Sequence, residues 1–342
     1  MIKIAINGFG RIGRSTFKIG LEKGLEIVAI NDLTDTKTLA YLLKYDSLYG
    51  RYEKEVSFDE KNLIIYPEPS RGVNGKKIRV FAEKDPISLP WKELGVDIVL
   101  ESSGVFTDKE GSEKHLKAGA KRVIISAPPK SPGIPTYILG VNEEKFQPKK
   151  DLIISNSSCT TNCLAPVVKV IHKNLVIKKG FFTTTHAYTN DQRLLDLPHK
   201  DLRRARAANL SIIPTSTGAA KSISEVMPEL KGKIDGISLR VPISTVSLLD
   251  LICEVEKKTT AKEINSIFQK EAEKKLKGIL SVSDEPLVSV DLKGSSYSAI
   301  VDLSLTMVID NLVKVVAWYD NEWSYAVRYV EMAKYVAKKM SH

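Results

Sequence analysis

The chain has 342 residues, 43% of them hydrophobic and 27% charged, a balance that suits two domains with sizeable cores and excludes a mainly disordered protein. No apolar run approaches the roughly 18 residues of a membrane-spanning helix, and the N-terminus is strand-like and glycine-punctuated rather than a leader, so a cytoplasmic location is expected. The net charge is +10, yet only 12 of the 51 basic residues are arginine and the lysines are scattered, which reads as a solvated surface before a nucleic-acid face.

In chain order, Ile2 to Ile6 reads as a short apolar strand and Arg11 to Lys23 as a helix. A strand at Glu26 to Ile30, a helix at Asp35 to Lys44 and a strand at Val96 to Leu100 follow. A helix near Glu110 to Ala118 leads to a strand at Arg122 to Ser126. This alternation predicts a Rossmann-type α/β domain, a parallel sheet covered on both faces, with residues 51–90 inserted as extra strands and loops. One more strand, Leu152 to Ser155, runs into a helix ending near Asn174. Long alternating stretches then predict an α+β domain with a large, mostly antiparallel sheet and a helix at Ala261 to Lys275. The expected division is 1–157 for the first domain and 158–321 for the second, with a final helix in 322–342 packing back onto the first.

Gly8, Gly10 and Gly13 form a GxGxxG turn between the first strand and the first helix. Gly8 permits the tight turn, Gly10 admits a pyrophosphate to the backbone, and Gly13 lets helix and strand approach. Asp32, at the end of the next strand, is placed to accept both hydroxyls of an adenosine ribose and to repel a 2′-phosphate, a preference for NAD over NADP. Three cysteines, Cys159, Cys163 and Cys253, are too few and too odd in number for a disulfide framework, and no histidine completes a zinc-finger spacing, so no metal is expected. Cys159 lies where a strand meets a helix, and a helix N-terminus favours the thiolate. A buried structural cysteine fits that position equally well. Pro166 predicts either a kink in that helix or a start later than Cys159. His186, near the end of the stretch Thr183 to Thr189, has the chemistry of a base for a thiol, although spacing alone does not bring the two together. Arg240, within an apolar strand, needs an anionic partner, and an internal salt bridge is the simplest one.

The stretches INGFGRIGR, VAIND, SNSSCTTNCLAP, HAYTNDQRLLDLPHKDLRRARAA, IIPTSTGAAK, LRVP and WYDNEWSY, in that order, closely resemble phosphorylating glyceraldehyde-3-phosphate dehydrogenase from residue 2 to residue 325. The resemblance implies that Cys159 attacks the aldehyde of glyceraldehyde 3-phosphate, that His186 assists proton transfer, and that inorganic phosphate cleaves a thioester to give 1,3-bisphosphoglycerate. It implies that Thr189 and Arg240 hold the substrate phosphate. Ser158, Thr160, Thr217 and Gly218 would form the attacking-phosphate site, with Arg203 near both. NAD would be held by Asn7, Gly8, Gly10, Arg11, Ile12, Gly13, Asp32, Lys84, Ser126 and Asn321. Leu197-Pro198 matches members that use NAD, and Cys163 would be the motif's second, non-nucleophilic cysteine. A homotetramer is implied, with no membrane and no obligatory nucleic acid. Lys84 departs from the family's usual arginine and lacks its planar stacking. Ser103 replaces a frequent threonine, and Ser324 a frequent glycine. The nearest rival is erythrose-4-phosphate dehydrogenase, which releases an acid by hydrolysis. A nucleic-acid-binding role would be secondary, and the complete glycine fingerprint argues against a thiol hydrolase without cofactor.

Overall fold

A computed structural model describes residues 2–66 and 74–340. Part of the inserted segment, 67–73, and the last two residues of the final expected helix lie outside the described residues. Two compact units form: residues 1–136, 146–156 and 329–342 make the first, and residues 137–145 and 157–328 the second.

The first unit opens with β1 (Lys3–Asn7), α1 (Arg11–Glu22), β2 (Glu26–Asn31) and α2 (Thr36–Lys44), the last capped by the Asp35 side chain accepting from Thr38 N–H. A short pair, β3 (Tyr45–Asp46) and β4 (Gly50–Arg51), precedes β5 (Glu55–Phe58), β6 (Asn62–Tyr66) and β7 (Lys76–Phe81). Then come α3 (Trp91–Leu94), β8 (Ile98–Glu101), α4 (Lys109–Lys117), β9 (Arg122–Ile125) and β10 (Ile153–Ser155). The main sheet has the order β10-β9-β8-β1-β2-β7-β6-β5. Its strands are parallel from β10 to β7, and β6 and β5 extend it antiparallel. The inserted segment therefore contributes a full parallel strand, β7, beside β2. Ile4, Ile6, Ile30, Val99 and Leu100 are wholly buried, which is why these strands read as apolar runs without alternation. The chain goes outward from β1 through β2 and then returns to β8 on the other side of β1. That reversal opens a crevice at the carboxyl ends of β1, β2 and β8.

The second unit begins with α5 (Cys159–Leu175) and β11 (Ile177–Ala187), followed after a long loop by β12 (Ile213–Ser216), α6 (Ala219–Val226) and β13 (Ile234–Val241). It continues with β14 (Ser247–Val255), α7 (Ala261–Glu273), β15 (Leu280–Ser283), β16 (Ala299–Ile309) and β17 (Leu312–Tyr319). The sheet order is β12-β13-β11-β14-β17-β16-β15, antiparallel except for the pairs β11–β13 and β15–β16. Along β14, Leu249, Leu251, Cys253 and Val255 are buried while Ile252 points to the other face. The buried face meets α5, α6 and α7 in one core. Residues 137–145 group with this unit, and Lys169 Nζ donates to the Gly140 and Val141 carbonyls.

Helix α5 starts at Cys159, not later, with the Ser158 hydroxyl accepting from Thr161 N–H, and it runs through Pro166. An interior proline costs about 3 kcal/mol. Val167, Val168, Val170 and Ile171 are almost wholly buried around it. Each such burial contributes roughly 1.5–3 kcal/mol, which outweighs the missing hydrogen bond. The last helix, α8 (Trp323–Met340), begins in the second unit, and its residues from Tyr329 onward count with the first, where the Tyr329 hydroxyl reaches the Glu101 and Ile124 carbonyls.

Candidate active site

In the first unit, the crevice is a cavity of about 760 Å³ lined by Asn7, Gly8, Gly10, Asn31, Asp32 and Lys84, among others. Gly8 has φ +88°, and a Cβ there would lie 2.5 Å from the Ser103 nitrogen. A Cβ on Gly13 would lie 2.1 Å from the Gly8 carbonyl oxygen, so only glycine allows α1 to sit this close to the turn. Gly10 is different: no heavy atom lies within 4 Å of where its Cβ would be. Gly10 also caps α1 without a side-chain hydrogen bond, and the dipole at the start of this three-turn helix favours an anion there.

Asp32 is both a cap and a pocket wall. Its Oδ2 accepts from Phe9 N–H at 2.7 Å and its Oδ1 from Thr34 N–H at 3.0 Å. The Arg11 guanidinium is held by both oxygens of Asp46 at 3.0 Å and lies over the Tyr49 ring, so the group it can present to a cofactor is its backbone N–H. Lys84 is exposed on the cavity wall, with Lys114 as a second cation there. Ile12 and Ser126 are half-buried, and Ser126 N–H donates to the Glu101 carbonyl. Asn321 belongs to the second unit, where its Oδ1 accepts from the Ser247 hydroxyl at 2.9 Å.

In the second unit, Cys159 Sγ lies 3.4 Å from His186 Nε2. The approach is prepared on both sides. Ser157 holds φ +56°, an uncommon conformation for serine, and the Tyr325 hydroxyl donates to its carbonyl, fixing the turn that delivers Cys159 to the first position of α5. His186 and Arg240 are direct partners across the parallel β11–β13 pairing. That register brings Arg240 Nη1 to 2.7 Å from His186 Nδ1 and lets it donate to the Ala187 carbonyl at 3.1 Å. Nδ1 is also 2.6 Å from that carbonyl. A proton on Nδ1 serves the carbonyl and turns the Nε2 lone pair toward the thiol. A bare Nδ1 accepts from Arg240 and turns Nε2–H toward a thiolate. The two arrangements differ by one proton, which is the proton a nucleophilic thiol must lose.

Burial, reinforced by the Arg240 charge, pushes His186 down to about 3. Burial also pushes the Cys159 thiol up, against the pull of Arg240 and of the Thr160 hydroxyl and N–H. Desolvation therefore opposes the thiolate that the helix N-terminus favours. Cys163 is fully buried and raised well above the ordinary thiol value, again by burial.

No internal salt bridge neutralises Arg240 among the described residues, and its buried Nε has no partner. No carboxylate lies within salt-bridge distance of it among the described residues. Arg203 is exposed and without an ion pair among the described residues. Its neighbour Arg204 instead braces the long loop, bonding Asp191, Thr215 and the Ser216 carbonyl. Thr189 N–H donates to Gln192, Thr217 Oγ1 accepts from Ala219 N–H at 3.3 Å, and Gly218 caps α6. Thr160 Oγ1 is 3.0 Å from the Tyr319 hydroxyl, which also meets Thr184 at 2.8 Å and stands edge-on to His186. Tyr319 escaped the sequence reading, since a tyrosine in an apolar strand carries no chemical signal. Glu101 escaped it too, although an acid closing the apolar run Ile98–Leu100 was a visible one. Among the described residues no group of three or more acidic, histidine or cysteine side chains gathers to hold a metal.

A glycine-turn dinucleotide pocket in one unit and a thiol–imidazole pair in the other make this chain, as a class, a nicotinamide-dependent oxidoreductase. Comparison with known proteins narrows the class. Residues 2–109 match the family profile described as glyceraldehyde 3-phosphate dehydrogenase, NAD binding domain, and residues 158–321 match its C-terminal domain. The chain is 56% identical over 340 residues to a glyceraldehyde-3-phosphate dehydrogenase of Geobacillus stearothermophilus, covering 99% of each chain. It is 53% identical to glyceraldehyde-3-phosphate dehydrogenase 1 of Bacillus subtilis, again over 99% of each. A chloroplastic glyceraldehyde-3-phosphate dehydrogenase of Arabidopsis thaliana is 54% identical, over 98% of this chain and 84% of that one. The chain belongs to the glyceraldehyde-3-phosphate dehydrogenase family, and its cofactor is NAD.

Proposed function

We propose that the chain converts D-glyceraldehyde 3-phosphate, NAD and inorganic phosphate to 1,3-bisphosphoglycerate and NADH through a thioester on Cys159. The observation that carries this reading is the Cys159–His186 contact with Arg240, a cation without a salt bridge among the described residues, held against the same imidazole. The unobstructed helix start at Gly10 and the Asp32 carboxylate fit the pyrophosphate and ribose of NAD, which supplies the hydride acceptor.

His186 Nε2 takes the thiol proton as Cys159 Sγ bonds to the aldehyde carbon, and Arg240 and Thr160 favour the charge that develops on sulfur. His186 returns that proton to the aldehyde oxygen, giving a hydroxyl, and takes it back as the carbon is oxidised by loss of hydride to NAD; the Cys159 N–H at the helix start is suited to the oxygen. A phosphate oxygen then attacks the thioester carbon and the thiolate leaves. Arg240 and Thr189 are assigned to the substrate phosphate, and Ser158, Thr160, Thr217 and Gly218 to the attacking phosphate, with Arg203 near both. Asn7, Gly8, Gly10, Arg11, Ile12, Gly13, Asp32, Lys84, Ser126 and Asn321 are assigned to NAD.

NADH formation from NAD and glyceraldehyde 3-phosphate, followed with and without phosphate, tests the reading. Sustained turnover should require phosphate and disappear in Cys159→Ser, which should still bind NAD. Turnover on erythrose 4-phosphate without phosphate would assign the chain to the rival hydrolytic enzyme instead.

We also infer a homotetramer. Phe181, Ile237, Met307 and Ile309 expose apolar surface on the strands of the large sheet, and the long loop exposes Leu194, Leu195, Leu197 and Leu202, more than a monomer leaves in water. Three unpaired thiols suit a reducing compartment, and we place the enzyme in the cytoplasm.

A further inference from the structure

Beneath the dinucleotide cavity lies a polar chain that the reaction does not use. Glu101 and His115 are both completely buried. Trp91 Nε1–H donates to His115 Nδ1 at 3.1 Å, and His115 Nε2 lies 3.1 Å from Glu101 Oε2. Oε2 also accepts from Asn7 Nδ2. Oε1 accepts from Ser103 N–H at 2.7 Å and from the Ser103 hydroxyl, which itself accepts from Val105 N–H at 3.1 Å. Beyond Asn7, its Oδ1 accepts from Asn31 Nδ2 at 2.7 Å, and Asn31 exchanges hydrogen bonds with the backbone of Glu83.

The direction of this chain follows from one end. An indole nitrogen only donates, so His115 Nδ1 must accept and Nε2 must carry the proton. Glu101 then meets donors on every side, the Asn7 amide can sit only with its NH2 toward Glu101, and its carbonyl oxygen is left to Asn31. No lysine or arginine pairs with Glu101 among the described residues. Asn7, Asn31, Glu83 and Ser103 all line the cavity, and the Ser103 nitrogen is the atom a Cβ on Gly8 would strike.

From this we infer that Glu101, oriented by His115 and Trp91, is a positioning residue for cofactor binding, holding the Asn7 and Ser103 walls of the dinucleotide cavity at a fixed separation. The inference rests on the reading of that cavity as the NAD site. Glu101 itself touches no cofactor. It acts through the amide and the turn that it fixes.

Glu101→Gln keeps the shape but brings an NH2 group into a ring of donors, so either Asn7 or the Ser103 turn must move. The Kd for NAD should rise on the order of tenfold, the effect of leaving one buried donor unmet. The KM for NAD should rise with it while the KM for glyceraldehyde 3-phosphate holds. His115→Leu, which removes the donor to Glu101, should weaken NAD binding in the same way, and His115→Gln, which can restore an N–H there, should recover most of it. Should Glu101→Gln fail to fold, the His115 pair carries the test. Unchanged NAD affinity in Glu101→Gln, or equal affinities in the two His115 variants, would overturn the proposal. Asp32→Asn separates the two levels. If it weakens NAD binding while the Glu101 and His115 variants do not, the cavity reading stands and only the positioning role falls. If none of the three positions matters, the cavity itself is misassigned.

Discussion

His186 is the residue at which structure and chemistry meet most sharply. Its pKa of about 3, against an ordinary 6.5, means that the folded protein keeps the imidazole neutral while an unfolded chain takes up a proton below about pH 6.5. The unfolded state then binds the extra proton across the window from 6.5 down to 3, so stability is intact above 6.5 and is lost as the pH falls through it. Each fully developed proton difference contributes a slope of about 1.4 kcal/mol per pH unit. Replacing His186 by asparagine should therefore flatten the acid loss of stability, seen as a smaller fall in urea midpoint between pH 7 and pH 5 than in the parent. Equal falls would mean that the imidazole titrates normally. The same substitution should slow turnover strongly at neutral pH, because the thiol, raised by burial, loses its proton acceptor.

At the scale of elements, the site depends on two placements. The strained Ser157 turn and the Ser158 cap put Cys159 at the start of α5, and the β11–β13 register sets His186 beside Arg240. A slip of that register by one residue would send His186 to the opposite face of the sheet, so the pairing is a condition of the chemistry. Helix α7 shows the same physics with no part in the site. Thr260 and Glu263 form a reciprocal capping box at its start. Thr260→Ala should cost about 1 kcal/mol of stability and leave turnover unchanged, which a urea titration alongside an activity assay would show. A loss of activity without a loss of stability would contradict this division of labour.

At the scale of the whole molecule, the large sheet of the second unit has one face sealed by helices and another that carries exposed apolar side chains. Phe181 faces Ile252 across β11 and β14, and both are exposed. Phe181→Asp should therefore shift the protein toward smaller assemblies in light scattering, with the fold of the chain retained. An unchanged mass would place the tetramer contact elsewhere or remove it. Much of this architecture was legible beforehand, because burial leaves a periodic trace. Strands buried on both faces read as apolar runs, one-face strands alternate, and the glycines at 8 and 13 mark a turn whose geometry only glycine tolerates. The two possibilities raised by Pro166 were narrowed by packing, since the apolar core around α5 outweighs one lost hydrogen bond. What stayed illegible was contact between residues distant in the chain. Cys159 and His186 stand 27 residues apart, His186 and Arg240 stand 54 apart, and Trp91, Glu101 and His115 carry no local signal of meeting. Local chemistry, written in periodicity and side-chain type, determined the elements, the glycine turn and the identities of the reactive groups. Sheet register and burial, which depend on the whole folded chain, decided which groups touch and which way their protons point.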